Sequence, residues 1–199
     1  MDTDTRERIL KAAGRLFAEQ GYARTTTRAI AAAAGVNEVT LFRHFSSKQN
    51  LLRAFVEQFN AQGFPGTFEQ NLTGSYPDDV RFMARAAMQS TIENFQLLRI
   101  MLCDALDVPE IRQAALEGAR QNAALFADYF RRQIEAGVVR DDLLPEALAQ
   151  TFDALFSSAL IVPLIFQTGL SPDMPAETLR DQMADIFIQG TLKRSSEGN

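Results

Sequence analysis

The sequence predicts an all-α protein in two parts, a small N-terminal helical unit and a larger helical domain. Three observations predict it. Apolar residues recur at three- and four-residue spacing along most of the chain, no stretch keeps the alternation of a half-buried strand, and glycines and prolines stand chiefly where the periodic segments end. With 199 residues, 46% of them hydrophobic, the chain is long enough to bury a sizeable core.

The first helix is expected from Asp4 to Gln20, with Asp4 as N-cap, Glu7 three residues on, a stripe of Ile9, Ala13, Leu16 and Phe17, and Gly21 as its stop. Thr26 or Thr27 caps a second, whose body, Ala29 to Ala34, is a run of the best helix former with Ile30 as its apolar anchor. Gly35 can take the left-handed conformation that closes a helix, Val36 is the apolar residue of a very short connection, and Asn37 caps a third helix. On that helix Leu41 and Phe45 share one face, which leaves Glu38, Val39, Phe42 and Arg43 to the other. Ser46 as cap with Gln49 at the third helical position opens a fourth helix, about 47–62.

Beyond it, Gly63-Phe64-Pro65-Gly66 and Gly74-Ser75-Tyr76-Pro77 bracket the stretch richest in turn residues, and the domain boundary is placed there. A long core helix is expected from Asp78 to Leu106. Another starts at Pro109 and runs to Ala136, with Gly118 as a possible break and Gly137 as its end. Pro145 opens a helix to Gln167 that Pro163 kinks, and a last helix runs from Ala176 to Arg194.

Two short helices joined by a tight turn containing a glycine, the second apolar on one side and polar on the other, form the helix-turn-helix pattern of DNA readers. The net charge of −5 is distributed in keeping with it. Residues 1–60 hold nine Lys or Arg against six Asp or Glu, and the remainder holds 11 against 19, so a basic end sits on an acidic body.

Arg8-Ile9-Leu10-Lys11-Ala12-Ala13, Leu16-Phe17, Gly21-Tyr22, the threonines 25–27, Leu41-Phe42-Arg43-His44-Phe45 and Lys48 with Leu51-Leu52 stand in an order and spacing that closely resemble the DNA-binding domain of the TetR family of bacterial transcription regulators. The resemblance covers residues 5 to about 55. It implies a DNA-binding domain over 1–50, a link helix over 47–62, and an effector-binding and dimerisation domain over 63–199. It also implies that Thr27 and Arg28 touch phosphate, that Phe42, His44 and Lys48 clamp phosphates on the other side, and that Glu38, Val39, Thr40 and Arg43, behind the Asn37 cap, face bases. Arg43 is the best candidate for a bidentate guanine contact.

Two residues depart from the family pattern. Phe42 stands where tyrosine is common and lacks a hydroxyl for phosphate, and Glu38 would repel phosphates unless it accepts from cytosine N4 or serves the helix N-terminus alone. By the same resemblance, Phe152, Phe156, Leu160, Leu164, Met183 and Phe187 are expected at a homodimer interface. Met83, Phe95, Met101, Phe126, Phe130, Phe152 and Phe156 are candidates for a pocket taking a small apolar or aromatic effector, or else plain core.

Chemistry of other kinds finds no support. There is no paired histidine, no Cys-His couple and no glycine-rich phosphate loop, so neither an enzyme nor a cofactor or metal is expected, and the Asp pairs at 78–79 and 141–142 read as solvated caps. The lone Cys103 reads as a small buried side chain, with a redox sensor as the alternative. The longest apolar run, 159–166, falls short of the roughly 18 residues a bilayer span needs, and the acidic start resembles no signal peptide. The expectation is a soluble, cytoplasmic, homodimeric repressor of double-stranded DNA with a small-molecule effector. The alternative is a DNA-binding dimer controlled by a protein partner.

Overall fold

The computed structural model describes residues 3–62, 69–95, 97–99, 108–168 and 175–193. Among them the chain forms α1 (Thr3–Gln20), α2 (Thr27–Ala33), α3 (Glu38–Phe45), α4 (Lys48–Gln62), α5 (Tyr76–Glu93), α6 (Pro109–Glu135), α7 (Pro145–Phe156), α8 (Ile161–Phe166) and α9 (Ala176–Thr191). The fold is all-α, and among the described residues the one extended contact is an isolated antiparallel bridge between Val139 and Leu192. The chain divides into two compact units. The first is Met1–Gln62 with Asn94–Gly118, and the second is Gly63–Glu93 with Ala119–Asn199.

In the first unit Ile9, Ala13 and Phe17 of α1 meet Ile30 of α2, Leu41 and Phe45 of α3 and Leu51 of α4 in one buried cluster, which Leu97 and Ile111 join. Gly14 allows α4 close: a Cβ there would lie 2.4 Å from the Phe55 ring. The second unit is built around aromatic rings. Phe152 stands 4.8 Å from Phe126, 4.7 Å from Phe156 and 5.7 Å from Phe187 between ring centroids, and is fully buried. Such offset and edge-on pairs add to the area that the rings remove from water.

Several elements differ from their expected form. Asp4 lies inside the first turn of α1, paired with Arg8 at 3.3 Å, since the helix begins at Thr3. Ser47 caps α4 through the Asn50 N–H, at 3.0 Å, while Ser46 takes a positive φ of 62° and closes α3. The helix expected from 78 to 106 ends at Glu93. A turn at Asn94 follows, whose carbonyl accepts from the Leu97 N–H at 3.0 Å. Gly118 does not interrupt α6.

The segment from Pro145 is broken at Ser158–Leu160, which winds as a 3₁₀ turn, before α8 resumes. Pro163 explains the place. Its ring crowds the carbonyl four residues earlier and offers it no N–H, so the break falls one turn upstream of the proline. By length and composition Pro145–Phe166 would suffice to cross a membrane, contrary to the count of its longest apolar run. Leu148, Ala149, Phe152 and Phe156 bury one face of it in the core of the second unit.

Asp79 is buried rather than solvated. Its carboxylate accepts from the Thr73 N–H at 2.6 Å, the Thr73 hydroxyl at 2.9 Å and the Tyr129 hydroxyl at 3.3 Å. Asp141 and Asp142 are exposed and pair with Lys193 and Arg140. Burial pushes the Tyr129 phenol up strongly, with the Asp79 charge adding to it, and pushes Tyr76 up from 10.0 to about 12.

A neutral phenol is therefore favoured in the folded state. The stability it contributes is complete below pH 10 and is lost as pH rises through about 12. Phenolate absorbance should show Tyr76 titrating above pH 10, with the denaturation midpoint falling over the same pH window. Phe152→Ala removes a fully buried ring from the centre of the aromatic cluster and should cost roughly 3 to 5 kcal/mol in urea unfolding.

Candidate nucleic-acid interface

The helix-turn-helix is set by hydrogen bonds that its sequence specifies. The Thr26 hydroxyl accepts from the Ala29 N–H at 3.1 Å and starts α2. At its other end the Gly35 N–H donates to Ala32 and the Val36 N–H to Ala31, at 3.1 and 3.0 Å, a Schellman closure that requires Gly35 at φ 68°. Asn37 Oδ1 accepts from the Thr40 N–H at 2.7 Å and starts α3 two residues later. With Leu41 and Phe45 buried inward, the opposite face of α3 must point out. Val39 is 77% exposed, Phe42 42%, and Arg43 is exposed beside them.

Three supports come from residues to which the sequence reading gave no such role. Arg8 of α1 pairs with Asp4 and donates to the Ala34 carbonyl at 3.3 Å, holding the end of α2 from outside the hairpin. Thr25 is almost wholly buried, and its hydroxyl donates to the Leu16 and Gly21 carbonyls at 3.1 and 2.8 Å, tying the start of α2 to the end of α1. The Arg99 guanidinium donates to the Ala18 carbonyl. None of these has a signature beyond a polar residue near a glycine or helix end, which is why periodicity passes over them.

The remaining expected contacts fall as follows. Arg28 and Asn37 are exposed, while Thr27, Glu38 and Thr40 are half-buried. Thr27 and Glu38 meet each other, the hydroxyl donating to Oε1 at 2.5 Å. The Lys48 ammonium donates to the Tyr22 carbonyl at 2.6 Å and lies 4.2 Å from the Tyr22 ring centroid, so it braces the loop between α1 and α2. Both ring nitrogens of His44 are inaccessible and without a hydrogen-bond partner among the described residues. A phosphate contact from His44 therefore requires the ring to turn outward.

In the second unit Met83, Phe126, Phe130, Phe152 and Phe156 gather in one buried cluster. Phe95 belongs to the first unit, and Met101 and Cys103 lie outside the described residues. Of the six residues expected at a dimer interface, Phe152, Phe156, Leu160 and Phe187 are buried within a single chain, and Leu164 and Met183 pack partly against that core. The apolar side chains left facing outward on the same segments are Val162, Ile165, Phe166 and Ile186.

Comparison with known proteins follows the same lines. The profile of a family described as bacterial regulatory proteins, tetR family, matches residues 9–55. An uncharacterised HTH-type transcriptional regulator of Bacillus subtilis, YvkB, is 25% identical over 186 residues, covering 94% of this chain and 96% of its own. The HTH-type transcriptional repressor Rv1474c of Mycobacterium tuberculosis is 28% identical over 158 residues, covering 78% and 80%. Among solved structures, the flavonoid-responsive regulator FrrA superposes with a TM-score of 0.73 at 22% identity, over 96% of this chain and 98% of its own.

The two serines before α4 give a direct check of the local geometry. Ser47→Ala should lower unfolding stability by about 1 kcal/mol through loss of the cap, whereas Ser46→Ala, at a position with no cap bond, should leave it within about 0.5 kcal/mol.

Proposed function

We propose that this chain, whose residues 9–55 match the profile of the tetR family of bacterial regulatory proteins, is a DNA-binding transcriptional regulator that acts as a cytoplasmic, effector-responsive homodimeric repressor. The observation that carries this reading is the outward face of α3. Val39, Phe42 and Arg43 are exposed together on a helix locked at both ends, which is what base reading in the major groove requires.

In this reading Arg43 reads guanine, Val39 and Phe42 offer apolar surface to thymine methyls, and the exposed Arg28 sets register on phosphates. Two copies bind a pseudo-palindrome with α3 helices about one DNA turn, roughly 34 Å, apart. The exposed Val162, Ile165, Phe166 and Ile186 supply the surface between the copies, since leaving four such side chains in water is unfavourable by area alone. The cluster of Met83, Phe126, Phe130, Phe152 and Phe156 takes a small apolar or aromatic effector, and the helix at 47–62 carries its effect to the DNA-binding domain, 1–50. Repression and responsiveness to an aromatic compound are both met among its relatives in name and fold. The relatives it resembles are named as transcriptional regulators, not as enzymes.

Selection from fragmented genomic DNA should enrich a pseudo-palindromic site with wild type. Arg43→Ala should lose roughly 10- to 100-fold of the preference for that site while keeping its binding to arbitrary duplex. Enrichment by the variant equal to wild type would remove Arg43 from the reading set. Phe166→Asp with Val162→Asp should convert a dimer to monomer in sedimentation if those side chains form the interface.

A further inference from the structure

The contact between Thr27 and Glu38 is not accounted for by any role given so far. Thr27 is the first residue of α2 and Glu38 the first of α3, and the Thr27 hydroxyl donates to Glu38 Oε1 at 2.5 Å with both side chains half-buried. The first residue of α2 and the N-terminus of α3 thus meet at a carboxylate. The carboxylate already satisfies the hydroxyl and offsets the partial positive charge of the α3 terminus. A phosphate approaching Thr27 meets a negative charge instead of a free donor.

We propose that Glu38, held in place by Thr27, sets the ratio of specific to non-specific DNA binding, rejecting the phosphates of an arbitrary duplex and accepting from the amino group of a cytosine beneath the first turn of α3. The inference rests on the DNA-binding reading of α3 and goes beyond it. Arbitrary sequence is bound mainly through phosphates, so a fixed negative charge in the binding face weakens every such complex. A cytosine N4 amino group facing Glu38 supplies the donor that offsets this, and only sites with that base recover the loss. Discrimination then comes partly from repulsion of wrong sequences and not only from attraction to the right one. Partial burial strengthens the effect, because a charge held away from bulk water is screened less by salt than an exposed one. Thr27 serves as a positioning residue, fixing the carboxylate so that it cannot swing away from the phosphates.

The test compares full-length wild type, Glu38→Gln and Thr27→Val by fluorescence anisotropy on a mixed-sequence duplex, and by site selection from a randomised duplex library. Glu38→Gln keeps an oxygen acceptor for Thr27 and removes only the charge, so the fold is retained. It should bind the mixed-sequence duplex about fivefold more tightly, as expected for one unit charge removed a few Å from a phosphate in water-like surroundings. Its selected sites should lose one fixed C·G pair in each half. Thr27→Val keeps the charge but frees the carboxylate to swing away from the phosphates, so non-specific affinity should rise by less than with Glu38→Gln while the preference at that base pair weakens. Unchanged or weaker non-specific binding by Glu38→Gln, with the C·G pair still selected, would overturn the inference and leave the DNA-binding reading standing. Absence of any salt-dependent duplex affinity in wild type would overturn that reading itself, and this inference with it.

Discussion

The left-handed turn at Gly35 is the constraint on which the outward surface of α3 depends. A Schellman closure uses the Gly35 and Val36 N–H groups to end α2, and Asn37 starts α3 at once, so two residues separate the closure from the new helix. A side chain at that φ would add roughly 1 to 2 kcal/mol of strain where no other residue can absorb it. Arg8 reinforces the same point from α1 by holding the Ala34 carbonyl. Because Leu41 and Phe45 are drawn inward by the hydrophobic cluster, the angle fixed at Gly35 decides which side chains are left outside. The outward set of Val39, Phe42 and Arg43 is a consequence of core burial and one turn.

How much of this can be read from sequence depends on whether a residue acts through its own backbone or through a distant partner. Gly35, Asn37, Gly137 and Pro145 act locally, and their turns, cap and helix start stand where spacing places them. The capping serine was misplaced by one residue because Ser46 and Ser47 have the same chemistry, and only a positive φ at the first separates them. The turn at Asn94 was hidden by apolar periodicity that continues on both sides of it. Pro163 was read correctly as a disturbance, but its effect is displaced to Ser158–Leu160 because the carbonyl it disables is four residues upstream.

For the site, the outward residues of α3 were legible because one amphipathic helix with two inward anchors leaves little choice. The neighbours of Glu38 and Lys48 were not legible, since both partners, Thr27 and the Tyr22 carbonyl, lie across the fold. The same limit explains the second unit. A helix that is apolar nearly all round shows that two surfaces are to be covered, yet gives no indication which of Phe152, Phe156 and Phe166 faces its own core. Burial divides them, the first two inward and Phe166 outward. Asp79 reads as a solvated cap for a related reason: an acid near a helix start looks solvated until Thr73 and Tyr129 are seen to enclose it.

The proposed DNA-binding surface is α3 with the first turn of α2, and backbone amide resonances report it directly. Titrating labelled full-length protein with duplex DNA should move the amides of Thr27, Arg28 and residues 39–43 first and furthest, with the aromatic cluster around Phe152 little affected. Shifts concentrated in the second unit, with residues 27–43 unmoved at saturating duplex, would contradict it.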